Sequence, residues 1–149
     1  MKISKGKLEK INILCVNQNL KKISRTIELM YNRKLKIQNI TNNQFSILCY
    51  IAYYDKITMG LLANKLFMDR TTLSKNLKPL LRKKYIIVTS TDDKRKKNLN
   101  LTNKGIGVIN KSIHLWVKAQ NEIYKKYGKK EIHNLLKILN QLINQNKDK

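Results

Sequence analysis

Residues 58–105 constrain the fold of this chain most strongly, because helix and strand patterns alternate within them over short distances. The first part, TMGLLANKLFMDRTTLSKNLKPLLRKK, predicts two helices separated by a tight turn. Thr58 and Asp69 are residue types that cap helix N-termini, and each precedes an apolar-periodic run. Two short runs rich in β-branched or alternating residues, 86–90 and 98–101, follow across a polar turn and predict a hairpin.

Helical periodicity dominates the rest of the chain. Apolar residues recur at about every 3.6 positions over residues 7–35, which predicts one long helix. Thr41 is the expected N-cap of a second helix. Residues 103–127 predict a long amphipathic helix that Gly128 stops by adopting a left-handed conformation, and a last helix follows it. The order α-α-α-α-β-β-α-α predicts a mostly α fold with a small β-hairpin wing, a winged helix between long terminal helices.

Positive charge is concentrated on one predicted helix and on the hairpin tip. Residues 58–105 contain twelve Lys or Arg side chains against three Asp. A basic cluster beside a helix-turn-helix pattern indicates binding to double-stranded DNA. The whole chain has a net charge of +23, which suits contact with phosphates. An alternative source of the global excess is the general abundance of Lys, Asn and Ile, as in proteins encoded by AT-rich genomes, but this does not explain the local cluster.

The helix after Asp69 has separate inner and outer faces. With Leu73 as the buried direction, a rotation of roughly 100° per residue places Leu77 and Leu80 near it and leaves a polar outer face for the major groove. Threonine methyls can touch thymine methyls, Asn76 can pair with adenine, and Arg70 or Lys75 can reach guanine or phosphate. A solvated basic face on an ordinary helix is the alternative. The candidate contacts are Arg70, Thr71, Thr72, Ser74, Lys75, Asn76, Lys78 and Arg82.

These patterns together resemble the multiple-antibiotic-resistance regulator (MarR) family. The matching segments are LANKL at 62–66, MDRTTLSKNLKPL at 68–80, DKR at 93–95 and LNLTNKG at 99–105. The resemblance implies one MarR-like domain over residues 1–149. Within it, a winged helix-turn-helix lobe would span 41–105, and dimerisation helices would span 1–40 and 106–149. One departure is Tyr85, which stands where the family commonly has a glycine before the wing; another is the Lys-rich wing tip.

The wing is expected to contact DNA differently from the helix. Arg95 lies at the predicted hairpin tip, where a side chain can enter the narrow minor groove. The resemblance implies that Asp93 steers this arginine. Lys94, Lys96 and Lys97 are expected to contact phosphates. A charged turn that protects an edge hairpin from aggregation is the alternative.

The terminal helices predict self-association. Both are apolar and longer than one core requires, so we expect them to cover each other across a two-fold interface. The resemblance implies a homodimer that binds a pseudo-palindromic operator, with half-sites about one helical turn apart, ~34 Å. A monomer with a compact helical cap is the alternative.

The resemblance also implies a small-molecule effector site between the dimer helices and the DNA-binding lobe. Its candidate residues are Cys15, Tyr31, Phe45, Cys49, Tyr50 and Trp116. A filled core at these positions is the alternative. Cys15 lies in the first helix, where the hydroperoxide-sensing branch of the family keeps its reactive cysteine. A reactive thiol needs a thiolate and access for oxidant, whereas a cysteine within an apolar run is usually inert.

Other function classes receive little support. The two histidines, His114 and His133, are far apart, and the sequence has no Gly-rich phosphate loop, Ser/His/Asp arrangement or close Cys/His set. We therefore expect no enzyme activity, no metal and no cofactor. The absence of a long apolar run or signal peptide predicts a cytoplasmic protein without membrane contact. The expected function is a repressor released from DNA by a small ligand or an oxidant. The alternatives are a nucleoid-type DNA-binding protein of low specificity and an RNA-binding protein.

Overall fold

Helices surround one small sheet in this protein, whose computed structural model describes residues 3–90 and 97–145. The elements are α1 (Lys5–Leu14), α2 (Val16–Leu35), α3 (Asn42–Tyr54), β1 (Ile57–Thr58), α4 (Met59–Leu66), α5 (Arg70–Arg82), β2 (Ile86–Ser90), β3 (Lys97–Leu101), α6 (Asn103–Tyr127) and α7 (Lys129–Gln145). A short 3-10 turn, Lys36–Gln38, follows α2. This arrangement confirms the predicted winged-helix fold.

The sheet is antiparallel, with strand order β1-β3-β2. Leu99 in β3 lies opposite Ile57 in β1 and Val88 in β2, and Leu101 lies opposite Ile86. Ile57, Ile86 and Leu99 are buried against the helices. The two-residue strand β1 was not predicted, because a strand so short shows no periodicity and is defined only by its pairing with β3.

N-caps fix where four helices begin. Thr41 accepts a hydrogen bond from the Gln44 backbone N–H, and Gln44 accepts one from the Thr41 N–H, a complete capping box at α3. Thr58, Asp69 and Thr102 cap α4, α5 and α6 through their side chains. The caps predicted at Thr41, Thr58 and Asp69 are therefore confirmed.

The single helix predicted over residues 7–35 is wrong, because the chain breaks at Cys15. This residue has extended backbone angles, φ −68° and ψ 105°, and it separates α1 from α2. The amide of Asn19 donates to the carbonyl oxygens of Ile13, at 2.8 Å, and Cys15, at 3.0 Å. Asn19 thus provides partners for carbonyls at the break, and the β-branched and Asn-rich local sequence favours helix only weakly.

Two other helix ends differ slightly from prediction. Helix α5 stops at Arg82 instead of near Lys84, because Lys84 has a positive φ of 57° and the chain turns there into β2. Gly128 ends α6 with φ 86° and ψ 135°. The positive φ expected at this glycine is present, but its ψ lies outside the left-handed helical region.

The hydrophobic core lies between the helix-turn-helix, the sheet and α6. Its largest fully buried apolar side chains come from α2, α3, α4, α5 and the sheet: Leu35, Ile47, Leu48, Ile51, Ile57, Leu62, Leu73, Leu80 and Ile86. Helices α1 and α7 contain no buried residue within the described chain. None of the described helices is long and apolar enough to cross a membrane. The core therefore supports the middle of the chain, and both ends lie outside it.

Candidate nucleic-acid interface

A tight turn between α4 and α5 orients the candidate recognition helix. Phe67 has left-handed angles, φ 51° and ψ 37°, and its N–H donates to the Asn64 carbonyl at 3.2 Å. The next N–H, of Met68, donates to the Ala63 carbonyl at 3.0 Å. This closes α4 and lets α5 start in a new direction. A non-glycine residue with positive φ is uncommon, and no sequence signal marked it.

The inner face of α5 is the predicted one. Leu73, Leu77 and Leu80 are at most 3% exposed and pack into the core. The opposite side is open to solvent, with exposed Arg70, Thr71, Thr72, Lys75, Lys78 and Arg82 and half-buried Ser74 and Asn76. The structure thus places all eight predicted contacts of α5 outside the core, and six of them are exposed.

A network of hydrogen bonds joins three side chains at the start of α5. Asp69 Oδ1 accepts from the Thr72 backbone N–H at 2.7 Å, and Asp69 Oδ2 accepts from the Thr72 hydroxyl at 2.6 Å. One turn later, the Asn76 amide donates to the Thr72 carbonyl at 2.9 Å. Two hydrogen bonds hold the pKa of Asp69 below its ordinary value. The bond from the Thr72 side chain has the larger effect, and the bond from the Thr72 backbone has the next largest. The Thr72 hydroxyl hydrogen and one of the two Asn76 amide hydrogens are therefore engaged at the start of the helix.

Of the wing, the structure describes the two strands, β2 and β3. Ser90 pairs with Lys97, which begins β3 and is exposed. Inside the hairpin, the Asn100 amide donates to the Thr89 hydroxyl at 2.7 Å. The remaining predicted wing residues, Asp93, Lys94, Arg95 and Lys96, lie outside the described residues. The predicted hairpin is confirmed in its strands, and Lys97 is exposed at the start of β3.

Hydrogen bonds connect the base of the wing to the start of α6. The Thr102 hydroxyl donates to the Lys84 carbonyl at 2.7 Å, and the Thr102 N–H donates to the Tyr85 carbonyl at 3.1 Å. Tyr85, the departure from the family pattern, is 9% exposed. The ammonium groups of Lys83 and Lys104 lie 6.0 Å and 5.5 Å from its ring centroid. Tyr85 therefore packs as a core residue where α5, the sheet and α6 meet.

Two of the predicted effector-site residues are in contact. The rings of Tyr31 and Trp116 have centroids 6.4 Å apart. The Tyr31 hydroxyl donates to Gln120, which joins α2 to α6. Burial, and secondarily Tyr124, raises the pKa of Tyr31. These contacts form a packed junction between two helices, with Trp116 still 39% exposed.

The other four predicted effector-site residues are dispersed. Phe45 is buried in the core, and Cys49 is half-buried, where burial raises the pKa of its thiol. Tyr50 stacks on Tyr54 at 6.3 Å and lines a groove of about 1150 Å³ that reaches the end of α7. Cys15 lies at the break between α1 and α2. Among residues 3–90 and 97–145, no group of three His, Cys, Asp or Glu side chains is placed to hold a metal ion.

The outer helices present apolar faces to solvent. In α1, Ile11 is 57% and Leu14 is 72% exposed; in α7, Leu136 is 43% and Ile138 is 55% exposed. Apolar surface of this extent at both ends of a chain is typical of an interaction site. The sequence predicted this surface from the length and pattern of the two helices.

Comparisons with known proteins agree with this architecture. The sequence model of the MarR family matches residues 38–96. The HTH-type transcriptional regulator SarZ of Staphylococcus aureus is 26% identical over 126 residues, which are 84% of each chain. The transcriptional regulator MosR of M. tuberculosis, solved in complex with DNA, is 29% identical with a TM-score of 0.76 over 89% of this chain and 98% of its own. A mutant of E. coli MarR complexed with operator DNA shares the fold at 23% identity, with a TM-score of 0.80 over 89% of this chain and 96% of its own.

Proposed function

Because this chain belongs to the MarR family of winged-helix transcriptional regulators, we propose that it represses transcription by binding a specific sequence of double-stranded DNA as a homodimer. The observation that carries the proposal is the exposed basic face of α5, supported from behind by Leu73, Leu77 and Leu80. The major groove is wide enough to admit such a helix, and it presents a distinct pattern at each base pair. MosR and E. coli MarR, which share this fold, were both solved with DNA.

The chemistry of the two contact regions differs. On α5, Lys75, Lys78 and Arg82 are exposed and positively charged, which suits guanine edges and phosphates. In the wing, Lys97 is assigned to a phosphate. Arg95 is assigned to the minor groove, on the strength of its place in the sequence and the family resemblance.

Competition binding tests the specificity of the regulator. Genomic fragments that bind the protein are recovered, and a bound fragment is then competed with random duplex of equal length. A regulator prefers its operator by several kcal/mol. If random duplex competes equally, the nucleoid-type alternative replaces this proposal; if single-stranded or duplex RNA competes better, an RNA-binding function replaces it.

Two substitutions distinguish recognition of the operator by the wing from simple neutralisation of phosphate charge. Arg95→Ala should weaken operator binding by ~1–3 kcal/mol and leave the melting temperature nearly unchanged. Lys97→Ala should weaken operator and random DNA alike and reduce the salt slope by about one. Unaltered affinity in Arg95→Ala would show that the hairpin is not a DNA-reading wing, and a sequence-dependent loss in Lys97→Ala would contradict its phosphate assignment.

The exposed apolar faces of α1 and α7 support the homodimer. A second copy of the chain would remove Ile11, Leu14, Leu136 and similar side chains from water, and each square ångström of buried apolar surface stabilises by roughly 25 cal/mol. The two α5 helices would then face half-sites ~34 Å apart on a pseudo-palindromic operator. The division into a lobe at 41–105 and dimerisation helices at 1–40 and 106–149 follows from the same proposal.

The dimer is tested with two matched substitutions on α7. Leu136→Glu places a charge on the apolar face, whereas Asn134→Glu places the same side chain on an exposed polar position. Leu136→Glu should yield monomers in sedimentation equilibrium and weaken operator binding, and Asn134→Glu should remain dimeric. A native chain that sediments as a monomer at micromolar concentration would refute the dimer.

We assign the release signal to the junction between the outer helices and the DNA-binding lobe, with a small ligand or an oxidant as its agent. Cys15 ends α1 and is the N-cap residue of α2, and its side chain is half-buried instead of lying in the core. Its thiolate would attack a hydroperoxide oxygen, break the O–O bond and yield a sulfenic acid and an alcohol. Cys49 is the matched control, because burial raises the pKa of its thiol.

The test compares DNA release by low hydroperoxide in the native protein, Cys15→Ser and Cys49→Ser. The native protein and Cys49→Ser should release the operator, and Cys15→Ser should hold it. Release from all three proteins, or from none, would exclude Cys15 as the sensor and leave the small ligand as the signal.

A further inference from the structure

Thr71 and Thr72 are neighbours at the start of α5, but their hydroxyl groups differ in hydrogen bonding. The Thr72 hydroxyl donates to Asp69 Oδ2 at 2.6 Å, and the Thr72 N–H donates to Asp69 Oδ1 at 2.7 Å. Within the described part of the chain, the Thr71 hydroxyl has no such side-chain partner. Both residues are exposed on or beside the outer face of the helix. Thr71 is therefore free to offer a hydroxyl to DNA, whereas the hydroxyl of Thr72 is already in use.

Engagement of the hydroxyl also fixes the methyl group of Thr72. A threonine has its hydroxyl and its methyl on the same carbon, so a hydroxyl held toward Asp69 sets the side-chain rotamer. The methyl is therefore held in one direction, and the hydroxyl hydrogen is not available to a ligand. A fixed methyl loses little conformational freedom when it contacts a partner.

The side-chain amide of Asn76, on the same flank, already makes one hydrogen bond. Asn76 lies one turn after Thr72, and its amide nitrogen donates to the Thr72 carbonyl at 2.9 Å. Bidentate recognition of adenine by asparagine requires that nitrogen as a donor. One of the two amide hydrogens of Asn76 is therefore in use, and adenine reading would have to use the other.

A methyl group that faces the major groove has one natural complement among the bases. Thymine alone presents a methyl there, at its C5 position. We propose that Thr72 is a specificity-determining residue that recognises the 5-methyl group of a thymine in each half-site, with Asp69 as the residue that positions it. This inference rests on the proposed binding of α5 in the major groove. It predicts a thymine under Thr72.

The test uses uracil, which differs from thymine only by lacking the methyl. Each thymine of a recovered operator is replaced singly by uracil, and affinity is measured by fluorescence anisotropy. One position per half-site should lose affinity roughly four-fold for the native protein, the value of burying one methyl-sized group. The other uracil substitutions should change affinity little or should respond to different side chains.

Two serine variants then assign the position. Thr72→Ser keeps the hydroxyl that bonds to Asp69 and removes only the methyl, so uracil at the sensitive position should cost this variant nothing further. Thr71→Ser removes a methyl from the adjacent exposed residue, and there the uracil penalty should persist. Circular dichroism checks that both variants fold as the native protein does.

The outcomes separate this inference from the proposed function. If Thr72→Ser retains the full uracil penalty, or if no thymine is sensitive while operator preference persists, the assignment of Thr72 is wrong and the regulator proposal stands. If random duplex competes equally with every recovered fragment, the regulator proposal fails and this inference fails with it.

Discussion

Gly105→Ala should destabilise the protein, whereas Gly107→Ala on the same helix should stabilise it. A Cβ at Gly105 would lie 2.1 Å from the Tyr85 carbonyl oxygen and 3.1 Å from Leu101 Cδ2. Because the first contact is with backbone, no side-chain rotation relieves it, and the start of β2 must move. Overpacking of this kind costs up to about 3 kcal/mol, and the better helix propensity of alanine recovers about 1 kcal/mol. The net loss is about 2 kcal/mol.

Gly107 provides the internal control for this contact. A Cβ at Gly107 meets nothing within 4 Å. Alanine there should stabilise the protein by about 0.5–1 kcal/mol, since it lowers the conformational entropy of the unfolded chain. Urea unfolding at one fixed protein concentration measures both variants, because the proposed dimer would gain stability with concentration. A difference of about 3 kcal/mol between the two variants in the free energy of unfolding corresponds to roughly 6–12 °C in Tm for a chain of this length. Shifts of equal sign and size would refute the packing of Tyr85 against Gly105.

Three further changes test individual contacts. Thr41→Ala removes one half of a capping box and should cost about 1 kcal/mol in urea unfolding; an unchanged midpoint would show that the cap contributes nothing. Tyr31→Phe removes the hydrogen bond to Gln120 and should cost about 1 kcal/mol, and in native protein the Tyr31 phenol should ionise above its ordinary pKa of 10.0 in an absorbance titration. The pKa of Asp69 is lowered from 3.8, so its carboxylate stabilises the folded state above that pH. This stabilisation should disappear as the pH falls through the lower folded-state pKa, and the unfolding midpoints of native protein and Asp69→Asn should converge there; a gap that persists in acid would contradict the assignment.

The sequence predicted those features that depend on neighbouring residues. Thr41, Thr58 and Asp69 cap helices in the structure because a cap bonds to a backbone N–H only a few positions later. Leu73 and Leu77 are buried because helical geometry alone places them on one face. Local chemistry of this kind can be read without knowledge of the rest of the fold.

Features that depend on contacts between residues far apart in the sequence were not predictable. Strand β1 exists through the pairing of Ile57 with Leu99, far along the chain. The close approach of Gly105 to Tyr85 is likewise a contact between separate elements. Helix periodicity continues across Cys15, so the pattern does not reveal the break there. For the effector-site residues, a hydrophobic pattern has no information on whether side chains enclose a cavity or fill it.

Helix α6 connects the two parts of the molecule that the proposed function requires. Its first turn is held to the wing base by the bonds of Thr102 to Lys84 and Tyr85, and its last turns pack beside α7. At 25 residues it is about 38 Å long, and the described helix is continuous from Asn103 to Tyr127. Because a continuous helix bends little, a displacement of its α7 end must also move the wing base, unless the helix kinks. In the proposed dimer, a change in how α1 and α7 pack against the second copy would therefore alter the separation of the two α5 helices, and with it the fit to half-sites one helical turn apart.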